Sequence, residues 1–291
     1  LSHSSGLQNP TWPWGGDEPW QPFEPTEWSQ LVAMMPYTQL HFPPGSRYGY
    51  SNPGVIFLGR AIERVTGDVY EAYVDKNLFD ALGLATAYFD VTPWRLLPHR
   101  SNSYRVVEGE PVARGLDFDT GITVSNGGLN ATVGDLAKWL GFLAGAPGGR
   151  AREAYDGVLA RGSLEEMWEP VVPVPASDGP ALHPVRVGLG FFLYESGEGS
   201  GPSIVGHTGS QHSFRSFFLV DPVSGIGLVG AWNTADGDRS APDTDALRER
   251  LMARALALLF PIARGAPAGS SAPAGSPAPA GATPAPAPRD R

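Results

Sequence analysis

The sequence has 291 residues, 42% of them hydrophobic and 18% charged, with a formal net charge of -9 and a pI near 5.1. That is enough chain for one domain with a real core, or one domain plus a smaller lobe, and its acidic balance gives no electrostatic footing for nucleic acid. No apolar run is long enough to span a bilayer, and the absence of cysteine excludes disulfides, thiolate nucleophiles and cysteine metal sites.

The first 25 residues read as loop, with Pro10, Pro13, Pro19, Pro22 and Pro25 set among tryptophans. Thr26 is the expected cap of a helix from Glu27 to Met35, and Pro43-Pro44-Gly45 breaks the chain again. Asn52 reads as the N-cap of the next helix, with Pro53 at its first position. Val55, Ile56, Leu58, Gly59, Ile62 and Val65 form its apolar stripe, and Gly67 marks its end. A short helix is expected from Tyr70 to Leu78, then loops and short strands over 90–128. Thr132 with Asp135 resembles a capping box opening a helix through Leu143, and Ser163 with Glu166 resembles a second.

The C-terminal third changes character. Gly188–Tyr194, Ser203–His207, Ser213–Val220 and Ile226–Trp232 read as strands of an antiparallel meander, with a turn at 221–225. A helix from Thr244 to Phe260 follows, with Leu247, Leu251, Ala255, Leu258 and Leu259 expected on its apolar side. From Gly265 to Arg291 the chain is mostly Ala/Pro/Gly/Ser and cannot bury a core. We therefore expect a folded domain over 1–262 and a disordered tail over 263–291.

Three short patterns occur in a telling order: His3-Ser4-Ser5-Gly6-Leu7, Tyr50-Ser51-Asn52 and His207-Thr208-Gly209. Gly127-Gly128-Leu129-Asn130-Ala131-Thr132 running into Asp135-Leu136-Ala137, and Gly188-Leu189-Gly190-Phe191, flank them. Each alone is weak. Together, over roughly Leu1 to Phe260, the sequence resembles the β-lactamase-related serine hydrolases, which include class C β-lactamases, penicillin-binding proteins and esterases.

The resemblance implies an α/β (α+β) fold: an antiparallel sheet flanked by helices, with a mostly helical lobe and the site between them. It also implies acyl-enzyme chemistry, in which a serine activated by a lysine one helical turn later attacks a carbonyl. Tyr50 would then shuttle protons, best with a phenol pKa lowered by nearby positive charge. Asn52 would hydrogen-bond the lysine or the substrate amide. His207 and Thr208 would orient the substrate's polar end, Gly209 would let substrate approach the strand, and the Ser210 N–H would serve as an oxyanion donor.

The Ser-x-x-Lys itself is missing. The two lysines, Lys76 and Lys138, follow Tyr73 and Asp135 at the required spacing. In the family that element precedes the His3 segment, and the chain opens with Leu1, not Met. The expectation is therefore a chain truncated at its N-terminus, with the nucleophile upstream and exposed strand edges. His207, where classical penicillin-binding enzymes carry lysine, holds a carboxylate less firmly than an ammonium would. That favours an ester or D-amino peptide over a β-lactam. The alternative is a non-catalytic relic or a module binding a peptidoglycan-like ligand. No metal or organic cofactor is implied, and the expected partner is a small-molecule or peptide substrate.

Simpler readings stand beside these. Asn52 could be a cap alone, Tyr50 a half-buried structural tyrosine, and His207 a strand-end histidine. Ser4 and Ser5 read as turn stabilisers. Ser125 has Thr123 where a nucleophile elbow carries its first glycine. Asp236, Asp238, Asp243 and Asp245 lack the spacing of a calcium loop. Trp12, Trp14, Trp20 and Trp28 read as a lid or as ordinary packing.

Overall fold

The computed structural model describes residues 1–7, 27–37, 39–115, 120–145, 150–175, 184–195, 204–236 and 243–265. Trp12, Trp14, Trp20, Thr26 and nearly all of the expected tail lie outside them.

The helical lobe comes first. Helices α1 (Trp28–Met34), α2 (Asn52–Thr66) and α3 (Tyr70–Val74) precede a π turn over Asp75–Phe79 and a last turn at Asp80–Leu82. Strand β1 (Tyr88–Phe89) leads to the hairpin β2 (Tyr104–Val107) and β3 (Glu110–Ala113). Then come α4 (Val124–Gly127), β4 (Leu129–Asn130), α5 (Val133–Ala144), α6 (Arg150–Val158) and α7 (Arg161–Glu166). The remainder is the main sheet: β5 (Val172–Pro173), β6 (Arg186–Val187), β7 (Phe192–Tyr194), β8 (Ile204–Gln211), β9 (Phe214–Asp221) and β10 (Ile226–Trp232). β11 (Thr234–Asp236) pairs in parallel with β2, and α8 (Thr244–Arg254) continues through a π stretch over Ala255–Leu259 into a final turn at Phe260–Ala263.

The six main strands lie in sequence order, all antiparallel, so the expected meander is present. Both of its faces are buried. Leu193, Val205 and Val220 pack against Leu140 and Leu143 of α5 and against Leu164 and Trp168 of the lobe. Phe192, Tyr194, Ile204, Phe217 and Leu219 pack against Met252, Leu256 and Phe260 of the C-terminal helix. A sheet covered on both sides needs apolar residues at successive positions, which β7 and the first half of β8 supply.

Several local expectations are corrected. Glu27 precedes α1, its N–H donating to Gln30 Oε1 at 3.1 Å, in place of the expected Thr26 cap. Ser51, not Asn52, caps α2: its hydroxyl accepts from Gly54 N–H at 3.0 Å, which makes Asn52 the first helical residue. Val65 is 86% exposed and outside the core stripe. Thr132 does cap α5, but the Asp135 carboxylate turns to Thr86 and Lys138. Ser163 lies inside α7, which begins after Ala160. On the last helix Met252, Ala255, Leu256 and Phe260 are buried, while Leu247, Leu251, Leu258 and Leu259 stay exposed. That helix carries two apolar stripes about one residue apart, and periodicity does not say which one faces the sheet.

The end of the last helix is pinned to the sheet. Asp221 is fully buried and accepts from Arg264 Nε at 2.7 Å, Arg264 Nη2 at 2.8 Å, Ser224 Oγ at 2.8 Å and Val223 N–H at 3.0 Å. Removing the arginine strands a buried carboxylate. Arg264→Leu should therefore lower unfolding stability by about 3 kcal/mol in urea titrations, and Asp221→Asn by less.

Candidate active site

The first seven residues run alongside residues 41–51. Ser4 C=O accepts from Gly45 N–H at 2.7 Å, Gly6 C=O from His41 N–H at 3.0 Å, and His3 C=O from Gly49 N–H at 2.8 Å. Gly6 has φ of 81°, and a Cβ there would strike the Phe42 carbonyl, so only glycine fits. Ser5 Oγ accepts from Leu7 N–H at 3.1 Å, the turn role expected of it.

This pairing delivers Tyr50 to the end of the sheet. Its ring lies 4.2 Å from His3 and 6.4 Å from Phe192, centroid to centroid. The Phe192 ring lies 4.9 Å from His207. Tyr50, Phe192 and His207 thus form one cluster where α2 begins and β8 leaves the core. Asn52 stands at the helix start immediately beyond Tyr50.

Along β8, burial falls residue by residue: Ile204, Val205 and Gly206 are buried, His207, Thr208 and Gly209 half-buried, Ser210 and Gln211 exposed. Gly209 has a second reason to be glycine, since a Cβ would lie 2.5 Å from Ser216 Oγ on β9. The strand is also braced from α8: Arg248 Nη1 donates to Gly209 C=O at 3.2 Å and Ser210 Oγ at 2.9 Å. Arg248 and Arg215 share Asp245, at 2.9 and 3.2 Å. Neither arginine carries a sequence signal, because an isolated Arg on a helix or strand gives no motif. Asp243 caps α8 and Asp245 pairs with arginines, while Asp238 lies outside the described residues.

Burial keeps the cluster neutral. His207 Nδ1 lies 2.7 Å from the Thr208 carbonyl. Only an N–H can meet a carbonyl, so Nδ1 carries the proton and neutral Nε2 offers a lone pair. Burial, reinforced by Arg248, holds the His207 pKa below its ordinary value despite that bond. Burial raises the Tyr50 phenol, against the expected lowering by positive charge, and Tyr48 rises to about 12 by burial and then by Tyr50. His3 is lowered to about 4 by burial and then by His207, while its contact with the Ser51 backbone acts the other way.

Neither lysine joins the cluster. Lys138 donates to Gly83 C=O and pairs with Asp135 at 2.9 Å; Lys76 lies 3.8 Å from Asp68. Ser125 donates to Val55 C=O at 3.3 Å and packs on Gly59, a helix contact. A cavity of about 590 Å³ opens at the outer end of β8, bounded by Gln211, Phe214 and Arg215 on one side and Gly128, Leu129 and Asn130 on the other. Among the described residues no group of three possible metal ligands is present, and no helix is long and apolar enough to cross a membrane.

An antiparallel sheet with helices on both faces and this cluster at the lobe boundary define a β-lactamase/transpeptidase-like protein. The chain belongs to the Beta-lactamase family, whose sequence model matches residues 1–252. The octameric penicillin-binding protein homologue from Pyrococcus abyssi superposes with a TM-score of 0.65 at 24% identity, covering 93% of this chain and 56% of that one. The D-amino acid amidase from Ochrobactrum anthropi SV3 gives 0.60 at 22% identity, covering 87% and 70%. Among curated proteins, Protein flp of Staphylococcus aureus is 24% identical over 194 residues, 66% of this chain. The chain spans about a third (34%) of that relative's length.

His3 links pH to stability. Its folded pKa of about 4 lies below the ordinary 6.5, so below pH 6.5 the unfolded chain binds a proton that the folded chain refuses. Stability should fall by roughly 3 kcal/mol as pH drops from 6.5 to 4, and His3→Asn should flatten that slope in urea titrations at stepped pH.

Proposed function

We propose that this chain is the C-terminal part of a serine hydrolase that acts through an acyl-enzyme on an ester, D-amino peptide or β-lactam. The nucleophile and its lysine lie on a segment upstream of Leu1, and the present chain alone is inactive. The observation that carries this reading is the gathering of Tyr50 and His207 around Phe192, with Asn52 two residues beyond Tyr50 at the start of α2.

Tyr50 relays the proton between the serine, the leaving group and water. An ammonium arriving beside it would offset the burial that now raises its pKa. Asn52 bonds the lysine or the substrate amide. His207, neutral and with Nε2 exposing a lone pair, accepts a hydrogen bond more readily than it grips a carboxylate. Thr208 orients the polar end of the substrate, and Gly209 with the Ser210 N–H lines the carbonyl, the latter as an oxyanion donor. The neutral His207 favours ester or D-amino amide substrates over β-lactams.

The test extends the reading frame to include the upstream Ser-x-x-Lys and measures hydrolysis of p-nitrophenyl esters, D-amino acid amides and a chromogenic cephalosporin. The extended protein should turn over esters or D-amides fastest, Tyr50→Phe should cut kcat by roughly 100-fold, and the present chain should release no product. Ligand affinity with no turnover in the extended protein would favour a binding module instead.

A further inference from the structure

We propose that His3 is the positioning residue for Tyr50 and Asn52, acting through the lone pair of its Nδ1. The inference rests on the reading of Tyr50 as the proton-transfer group.

His3 grips the chain on both sides of that tyrosine. Its carbonyl accepts from Gly49 N–H at 2.8 Å, and its Nδ1 accepts from Ser51 N–H at 3.1 Å. Between those bonds the imidazole covers the Tyr50 ring at 4.2 Å, tilted by 31°. Ser51 in turn caps α2, so the same bond sets the helix start on which Asn52 stands. His3 is only 8% exposed and has φ of 51°, in the left-handed region that large L-residues rarely enter. In that conformation carbonyl and ring both reach the 49–51 segment.

A backbone staple alone would need the carbonyl and no imidazole. The ring adds two things: a wall for the Tyr50 phenol and an acceptor of fixed direction. Since Nδ1 accepts from a backbone N–H, the ring hydrogen sits on Nε2. A proton on Nδ1 would set two donors face to face and release Ser51. The rings around it, Tyr48, Tyr50 and Phe192, give no countercharge, and burial with His207 opposes protonation more strongly than the Ser51 backbone favours it. The positioning therefore depends on a neutral ring.

Asparagine and leucine separate the two contributions. Asn Oδ1 takes the place of Nδ1 and tolerates the left-handed backbone, whereas Leu fills the volume without an acceptor. In ¹⁵N-labelled chain we expect a scalar coupling across the hydrogen bond between the Ser51 amide nitrogen and His3 Nδ1, with the Nε2–H tautomer at neutral pH. His3→Leu should move the Tyr50 ring, Ser51 amide and Asn52 side-chain resonances, and His3→Asn should bring them back. Resonances of β9 and β10 should stay fixed in both. An Nδ1–H tautomer without the coupling, which wild-type protein alone reveals, overturns the inference. So does a folded His3→Leu whose Tyr50 and Asn52 signals match wild type. In the enzyme carrying its nucleophile segment, His3→Leu should lower kcat by roughly 10- to 100-fold with KM within about twofold. Should Tyr50→Phe leave turnover intact there, the reading of Tyr50 fails while the spectroscopic result stands.

Discussion

β8 is held by neighbours on both edges and covered on both faces at one end, and everything else about the site follows from where that cover stops. Ile204 and Val205 lie between α5 and the C-terminal helix; three residues later the strand reaches the lobe boundary. A strand so constrained is held in register by its pairing with β7 on one edge and β9 on the other. His207 to Ser210 are therefore delivered to fixed positions by residues that take no part in chemistry. Arg248 completes the constraint at the exposed end, where strand pairing and burial weaken.

The second half of the site arrives by a different route. Tyr50 and Asn52 belong to no strand, and the segment at 3–6 fixes them by backbone pairing with 41–49 and by the Ser51 cap. Two independent supports thus meet at Phe192. Their shared environment is apolar and aromatic, which keeps His3, His207 and Tyr50 neutral and makes any charge introduced there effective.

Much of this was legible in the sequence. The meander announced itself because apolar strands alternate with turn residues, and Asp221 to Gly225 turn it where expected; Gly67 likewise ends α2. Of the motif residues, His3, Tyr50 and His207 lie around Phe192. What escaped was local or long-range in kind. Asn52 and Ser51 are both good caps, and only the backbone decides between them. Leu247 and Met252 head equally apolar stripes, and only the sheet chooses. Arg215, Arg248 and Arg264 carry no motif, because their partners Asp245 and Asp221 are selected by tertiary packing. The raised Tyr50 pKa followed from burial that no pattern of residues displays.

One measurement bears most directly on the claim that Tyr50 and His207 serve a serine supplied from upstream. The reading frame would be extended upstream of Leu1, and the protein it encodes treated with a fluorophosphonate or a penicillin, digested, and its modified peptide sequenced by mass spectrometry. The account predicts one adduct on the serine of an upstream Ser-x-x-Lys, with its formation slowed in Tyr50→Phe. A label on a serine within this chain, such as Ser51 or Ser125, or an adduct that forms equally well without Tyr50, would contradict it.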